Sequence, residues 1–138
     1  MKSLSIVLAF VFVLAFASCK KFPGEGGNSS IKGMVEKDVR LVLTNPGTHQ
    51  YTVAAAEIDV YISYGDNISP DDRVWTNFDG EFEFLNLREG DYTIYVYSMD
   101  TTGVSGVDAK HMVIKQDVEI TSKKQVVVVP VMTVYDTQ

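Results

Sequence analysis

Thr76-Asn77-Phe78-Asp79-Gly80-Glu81-Phe82-Glu83-Phe84-Leu85-Asn86-Leu87-Arg88-Glu89-Gly90-Asp91-Tyr92 is the stretch that decides the fold of this chain. Apolar and charged residues alternate in it with period two, the spacing of a strand with one buried face. Phe82 and Phe84 fall on one side, Glu81 and Glu83 on the other. Asp79-Gly80 separates this run from residues 73–78. An Asp-Gly pair between two such runs predicts a hairpin, because both central turn positions take positive φ. Arg88-Glu89-Gly90-Asp91 predicts a second turn, with Gly90 adopting a backbone angle that a side chain would oppose. Leu87 is expected to pack beneath that turn.

The same period extends in both directions. Ile31, Gly33 and Val35 alternate with Lys32, Met34 and Glu36, which predicts a first strand. Residues 39–43 and 50–53 flank Asn45-Pro46-Gly47, a pattern that fits either a hairpin or an irregular loop. Ile58, Val60, Ile62 and Tyr64 share one face, and Glu57, Asp59, Tyr61 and Ser63 share the other. In residues 92–98, Ile94 and Val96 oppose Tyr95 and Tyr97. Residues 112–120 and 125–134 form the last strands. Residues 126–129 are all valine, which fits a strand covered on both faces, and Pro130 predicts an edge or a bulge. No helical stripe and no internal repeat occur after residue 28. About seven short strands with frequent turns predict an all-β, antiparallel sandwich.

The N-terminus follows a different plan. Met1-Lys2-Ser3 is positively charged, residues 4–16 are almost wholly apolar, and Ala17-Ser18 are small. That is the layout of a helical signal peptide, and the apolar run is shorter than the roughly 20 residues that span a bilayer. Cys19, the one cysteine, follows at once, so no disulfide forms within the chain and a cysteine-rich zinc site is excluded. Gly and Pro dominate residues 20–28, so residues 19–28 are expected to be a flexible tether and residues 29–138 the folded domain.

Charge and size narrow the function. Without the leader and its Lys2, 18 acids stand against 11 of the 12 bases, a net of −7. Nucleic-acid binding and electrostatic adhesion to anionic lipid both need clustered cations, which are absent here. Roughly 100 residues remain for the domain, enough for one sandwich core but not for a large enzyme pocket with its own lid.

Two resemblances add to this reading. Phe16-Ala17-Ser18-Cys19 resembles the lipobox of bacterial lipoproteins, with Phe16 where Leu is usual. The resemblance implies cleavage before Cys19 and acylation of that residue with palmitate-type chains. Two or three chains give stable anchoring where one is marginal. It also implies a cell-envelope location, at the outer membrane, facing the periplasm or the cell surface. Thr76, Asp79-Gly80, Phe82-Glu83-Phe84, Leu87, Gly90 and Tyr92, with Ile31-Lys32-Gly33-Met34-Val35, resemble the carboxypeptidase regulatory-like (prealbumin-like, Cna-B-like) sandwich domains. That resemblance covers most of residues 31–134. It implies that Tyr92 acts as a tyrosine corner. In Bacteroidetes-type lipoproteins such domains are usually accessory modules for spacing, adhesion or assembly.

Candidate chemistry is sparse. His49 and His111 are the two histidines, and a catalytic or metal pair would need them to converge with a carboxylate. The end Tyr135-Asp136-Thr137-Gln138 lacks the motif of the transthyretin-like hydrolases, and no Tyr/His pattern matches the intradiol dioxygenases. The reading is therefore non-catalytic, with no cofactor. Asp66, Asn67, Asp71, Asp72 and Asp79 are oxygen-rich but irregularly spaced; Asp66, Asp71 and Asp72 are the calcium candidates, and a solvated acidic loop fits them better. Lys32 on the first strand has no Asn on the last strand to form an isopeptide. Tyr61, Trp75, Tyr95 and Tyr97 form the candidate ligand face, since exposed aromatics stack on sugars or anchor protein partners. The expected partners are the membrane through the lipid anchor and an envelope protein, with a glycan as the alternative and no nucleic acid.

Overall fold

The computed structural model describes residues 22–41, 48–99 and 111–137. The leader, Cys19, the Asn45-Pro46-Gly47 turn and the loop at 100–106 lie outside the described residues. Nine strands are present among those described: β1 (Glu25–Leu41), β2 (Thr48–Ala54), β3 (Asp59–Tyr64), β4 (Asp72–Trp75), β5 (Glu81–Leu87), β6 (Gly90–Met99), β7 (His111–Ile120), β8 (Val126–Val128) and β9 (Met132–Thr137). They form two sheets. One is ordered β4-β3-β6-β7; in the other, β1 is flanked by β2 and β5 on one side and by β8 and β9 on the other.

The expected all-β sandwich is therefore present, and the alternation places its core correctly. Ile31, Val35, Val60, Ile62, Ile94 and Val96 are fully buried, with Phe82 and Phe84 between the sheets. The count exceeds seven partly because the last segment breaks at Pro130 into β8 and β9. Both run parallel to β1, a seam in an otherwise antiparallel structure. The chain ends pair here across the whole domain, so no tight turn is needed and the direction is free. Residues 39–41 continue β1, and Leu41 pairs with Thr48 antiparallel, which resolves the first hairpin.

Two expectations are corrected. Asp79-Gly80 does not close a β-hairpin, because β4 pairs with β3 while β5 pairs with β1 in the other sheet. After Trp75 the buried Thr76 donates its hydroxyl to the Ala55 carbonyl and accepts the Ile58 N–H, so the chain leaves the first sheet there. Asn77 then builds the turn, its Oδ1 accepting the N–H groups of Asp79 and Glu81 at 3.0 and 2.9 Å. Of the Asp-Gly pair only Gly80 takes positive φ, +76°, and a Cβ there would lie 2.4 Å from the Val35 carbonyl oxygen. Local alternation cannot report which sheet each arm joins.

The second correction concerns the tether, expected to extend to Asn28. Its second half belongs to the sandwich. Glu25 and Ser29 pair with Leu87, and Gly24 accepts the Arg88 N–H at 2.9 Å. The Tyr92 hydroxyl donates to the Arg88 carbonyl at 2.8 Å and accepts the Gly24 N–H at 3.0 Å. Tyr92 thus ties the entering chain to the β5–β6 turn. Gly90, at φ +149°, leaves room for Pro23, which a Cβ would approach within 3.0 Å. Glycine content signals freedom for an isolated segment, but the same residues also permit close backbone packing.

Candidate functional site

The aromatic residues expected on one face do share it. In β6 the odd positions Tyr95 and Tyr97 point away from the core that holds Ile94 and Val96. Tyr61 lies opposite Tyr95 across the β3–β6 pairing. The Tyr61 and Tyr95 rings stack with centroids 5.3 Å apart and planes 17° from parallel. Tyr97 meets both edge-on, at 5.5 and 5.9 Å. The rings cover one another, so Tyr95 is only 8% exposed while Tyr97 is 51% exposed. Burial, followed by the neighbouring Tyr97, pushes the Tyr95 phenol above its ordinary pKa. The cluster is a packed knot of rings with Tyr97 at its surface; the rings do not form a coplanar shelf.

Trp75 completes the face from β4. It pairs with Asp59, and Arg73 pairs with Tyr61, so strand periodicity puts all four side chains on the same side as the tyrosines. The Trp75 indole N–H donates to the Asp59 carboxylate. Arg73 forms an ion pair with the same Asp59 oxygen at 3.2 Å, and its guanidinium lies 5.5 Å above the indole ring. Asp59 and Arg73 therefore hold Trp75, which is 68% exposed, in place. Beside Tyr95 and Tyr97 is a hollow of about 300 Å³, lined also by Asn67, Ile68, Val113 and Lys115. Sequence reasoning singled out the four aromatics but missed Asp59 and Arg73. The signal was present: both sit two residues from a member of the face.

The remaining candidates are dispersed. Asp71 accepts the Tyr64 N–H at 2.7 Å and the Asn67 amide at 2.9 and 3.0 Å, so its oxygens close the loop at 65–71. Asp72 accepts the Arg73 N–H at 2.7 Å. Asp66 lies exposed in the same loop. Among the described residues, no group of three or more His, Cys, Asp or Glu side chains is placed to hold a metal ion. His49 is in β2 and His111 opens β7, in the other sheet. His49 Nδ1 lies 2.6 Å from Asp38 Oδ1, and Arg40 donates to Asp38 Oδ2 at 2.8 and 3.0 Å while lying over the Tyr135 ring. Burial works to raise the Asp38 carboxyl. The hydrogen bonds from Arg40 and His49 outweigh it and hold the group below its ordinary value.

No protein-family model matches this chain, and no curated protein matches it. A solved structure from Pseudomonas aeruginosa, described as that of a candidate carbohydrate-binding protein, is similar at a TM-score of 0.42 and 15% identity, over 78% of this chain and 90% of that one.

Proposed function

We propose that this chain is a non-catalytic, lipid-anchored protein of the cell envelope, and that its sandwich is a protein-interaction module working through the outer face of the four-stranded sheet. One observation carries the reading. Trp75, Arg73 and Tyr97, three residues of the types that dominate binding energy at protein interfaces, lie exposed on one rigid sheet face, braced by Asp59, Tyr61 and Tyr95. Bracing lowers the entropy cost of binding, because the anchors are ordered before the partner arrives.

The anchor rests on the leader and on Cys19. With residues 23–28 built into the domain, four peptide steps separate Cys19 from Pro23, a reach of roughly 14 Å. The domain then stands close to the bilayer by its Pro23 end. Trp75 ends β4 and Tyr97 lies near the end of β6, while Gly24 sits against Tyr92 near the start of β6. The exposed aromatics thus occupy the half of the sheet away from the anchor, where a partner has access. A glycan is the second reading, favoured by the polar hollow beside Tyr97.

The test is cross-linking in intact cells followed by recovery through the lipid anchor. A defined envelope protein, lost when Trp75→Ala and Tyr97→Ala are combined, supports the first reading. Recovery of glycan without a protein partner replaces it with the second. Globomycin, which blocks lipoprotein signal cleavage, should leave a precursor retaining residues 1–18; processing unaffected by it contradicts the anchor.

A further inference from the structure

The two sheets leave one side of the sandwich open. Among the described residues β4 pairs only with β3, and β5 pairs only with β1, so each presents an unpaired edge there. Two hollows of about 680 and 630 Å³ open on this side and share Val74 and Glu83 in their lining, forming one groove; the larger extends past β5 to Lys32, Met34, Val128 and Val131. Val74, Phe82 and Phe84 line it, and Trp75 and Leu85 stand exposed beside them. Its polar lining is acidic: Glu81, Glu83, Asp72 and Glu25, against Lys32.

Backbone direction shows what the groove offers. Val35 N–H bonds to Gly80 C=O, so the strand turns Gly80 toward β1. Glu81 therefore faces away, and its N–H and C=O go to Asn77. By the same alternation Glu83 points its N–H and C=O to the open side. A strand added here would place its inward side chains over Val74 and Phe82 and its outward ones beside Glu81 and Glu83. A like copy of this edge would set carboxylate against carboxylate, which is destabilising across a strand pair.

We propose that this groove takes an extended segment of a partner protein in which apolar residues alternate with Lys or Arg, added as a strand to the open edge of β5. Cations two residues apart on the segment repeat at about 6.8 Å, the spacing of Glu81 and Glu83 along β5. The proposal does not rest on the tyrosine face.

The test uses the full chain in detergent micelles and a short, blocked, fluorescent peptide alternating lysine and valine. Saturable binding is expected, with slowed amide exchange in β5. Glu81→Gln combined with Glu83→Gln should weaken it by about tenfold, as should methylation of the peptide's backbone amides at unchanged charge. Tyr97→Ala should leave it unchanged. No binding, equal binding by the methylated peptide, or full displacement by a cationic glycan overturns the strand-addition proposal. Loss of binding in Tyr97→Ala also overturns it and moves the site to the aromatic face. Failure of the cross-linking test above leaves this assay's outcome independent.

Discussion

Strand β6 carries two kinds of tyrosine a few residues apart. Tyr92 is 2% exposed, and its hydroxyl joins Arg88 to Gly24. Tyr97 is half exposed and meets the Tyr61 and Tyr95 rings edge-on. The first is a fastener between three segments of chain, and its polar tip is fully used. The second has an apolar body braced from behind and a free outer surface. One residue type on one strand thus fastens the entering chain at one end of the sheet and leaves an exposed ring at the other. The difference comes from which face each position occupies and what the neighbouring strands bring to it.

The largest effect is expected from the inner face. Ile94→Ala should cost about 2–5 kcal/mol in urea unfolding of the full chain, through lost burial and a cavity between the sheets. A cost below about 1 kcal/mol would mean that the facing sheets collapse to fill the gap. Tyr92→Phe should cost about 1–2 kcal/mol, because the Arg88 carbonyl and Gly24 N–H lose their partner. It should also speed proteolysis near Gly24; unchanged cleavage would show that β1–β5 pairing alone holds the entering chain.

The third expectation concerns alkaline pH. Burial, then the carboxylates of Glu25, Asp72 and Asp71, push the Tyr64 phenol from 10.0 up to about 12. The raised value means the folded state keeps the proton longer than the unfolded one. The associated stability is complete below pH 10 and fades as pH rises through about 12. Tyr64→Phe should flatten that part of the pH–stability curve, and an unchanged slope would assign it to other groups. The smallest effect is expected from Tyr97→Ala, about 1 kcal/mol or less, since the ring is half exposed and meets its tyrosine neighbours edge-on. If it matched Ile94→Ala, the outer face would be a second core and its role as a contact surface would fall.

Much of the candidate site was legible. Alternation alone assigned Tyr95 and Tyr97 to one face and Ile94 and Val96 to the other, because a strand's side-chain period is two whatever its neighbours are. Joining Tyr61 and Trp75 to them needed the pairings Tyr61–Tyr95 and Asp59–Trp75, which are register between distant segments. Leu87 packs beneath its turn as expected, but strand alternation alone would have turned it outward. It is buried at odd parity after the even Phe82 and Phe84, because Asn86 at φ +58° and a register shift turn the face over.

The sequence by itself determined most of the strand content, the inner and outer faces of most strands and the core aromatics. All of these follow from local chemistry: side-chain periodicity and turn residues. Tertiary structure alone decided that the arms around Asp79-Gly80 separate into different sheets and that the glycine-rich entry packs under Tyr92. It also decided that β8 and β9 lie parallel to β1, and that among the described residues the edges of β4 and β5 remain open on the same side. Each of these depends on which backbone groups find partners far along the chain, and hydrogen-bonding groups are identical at every peptide unit.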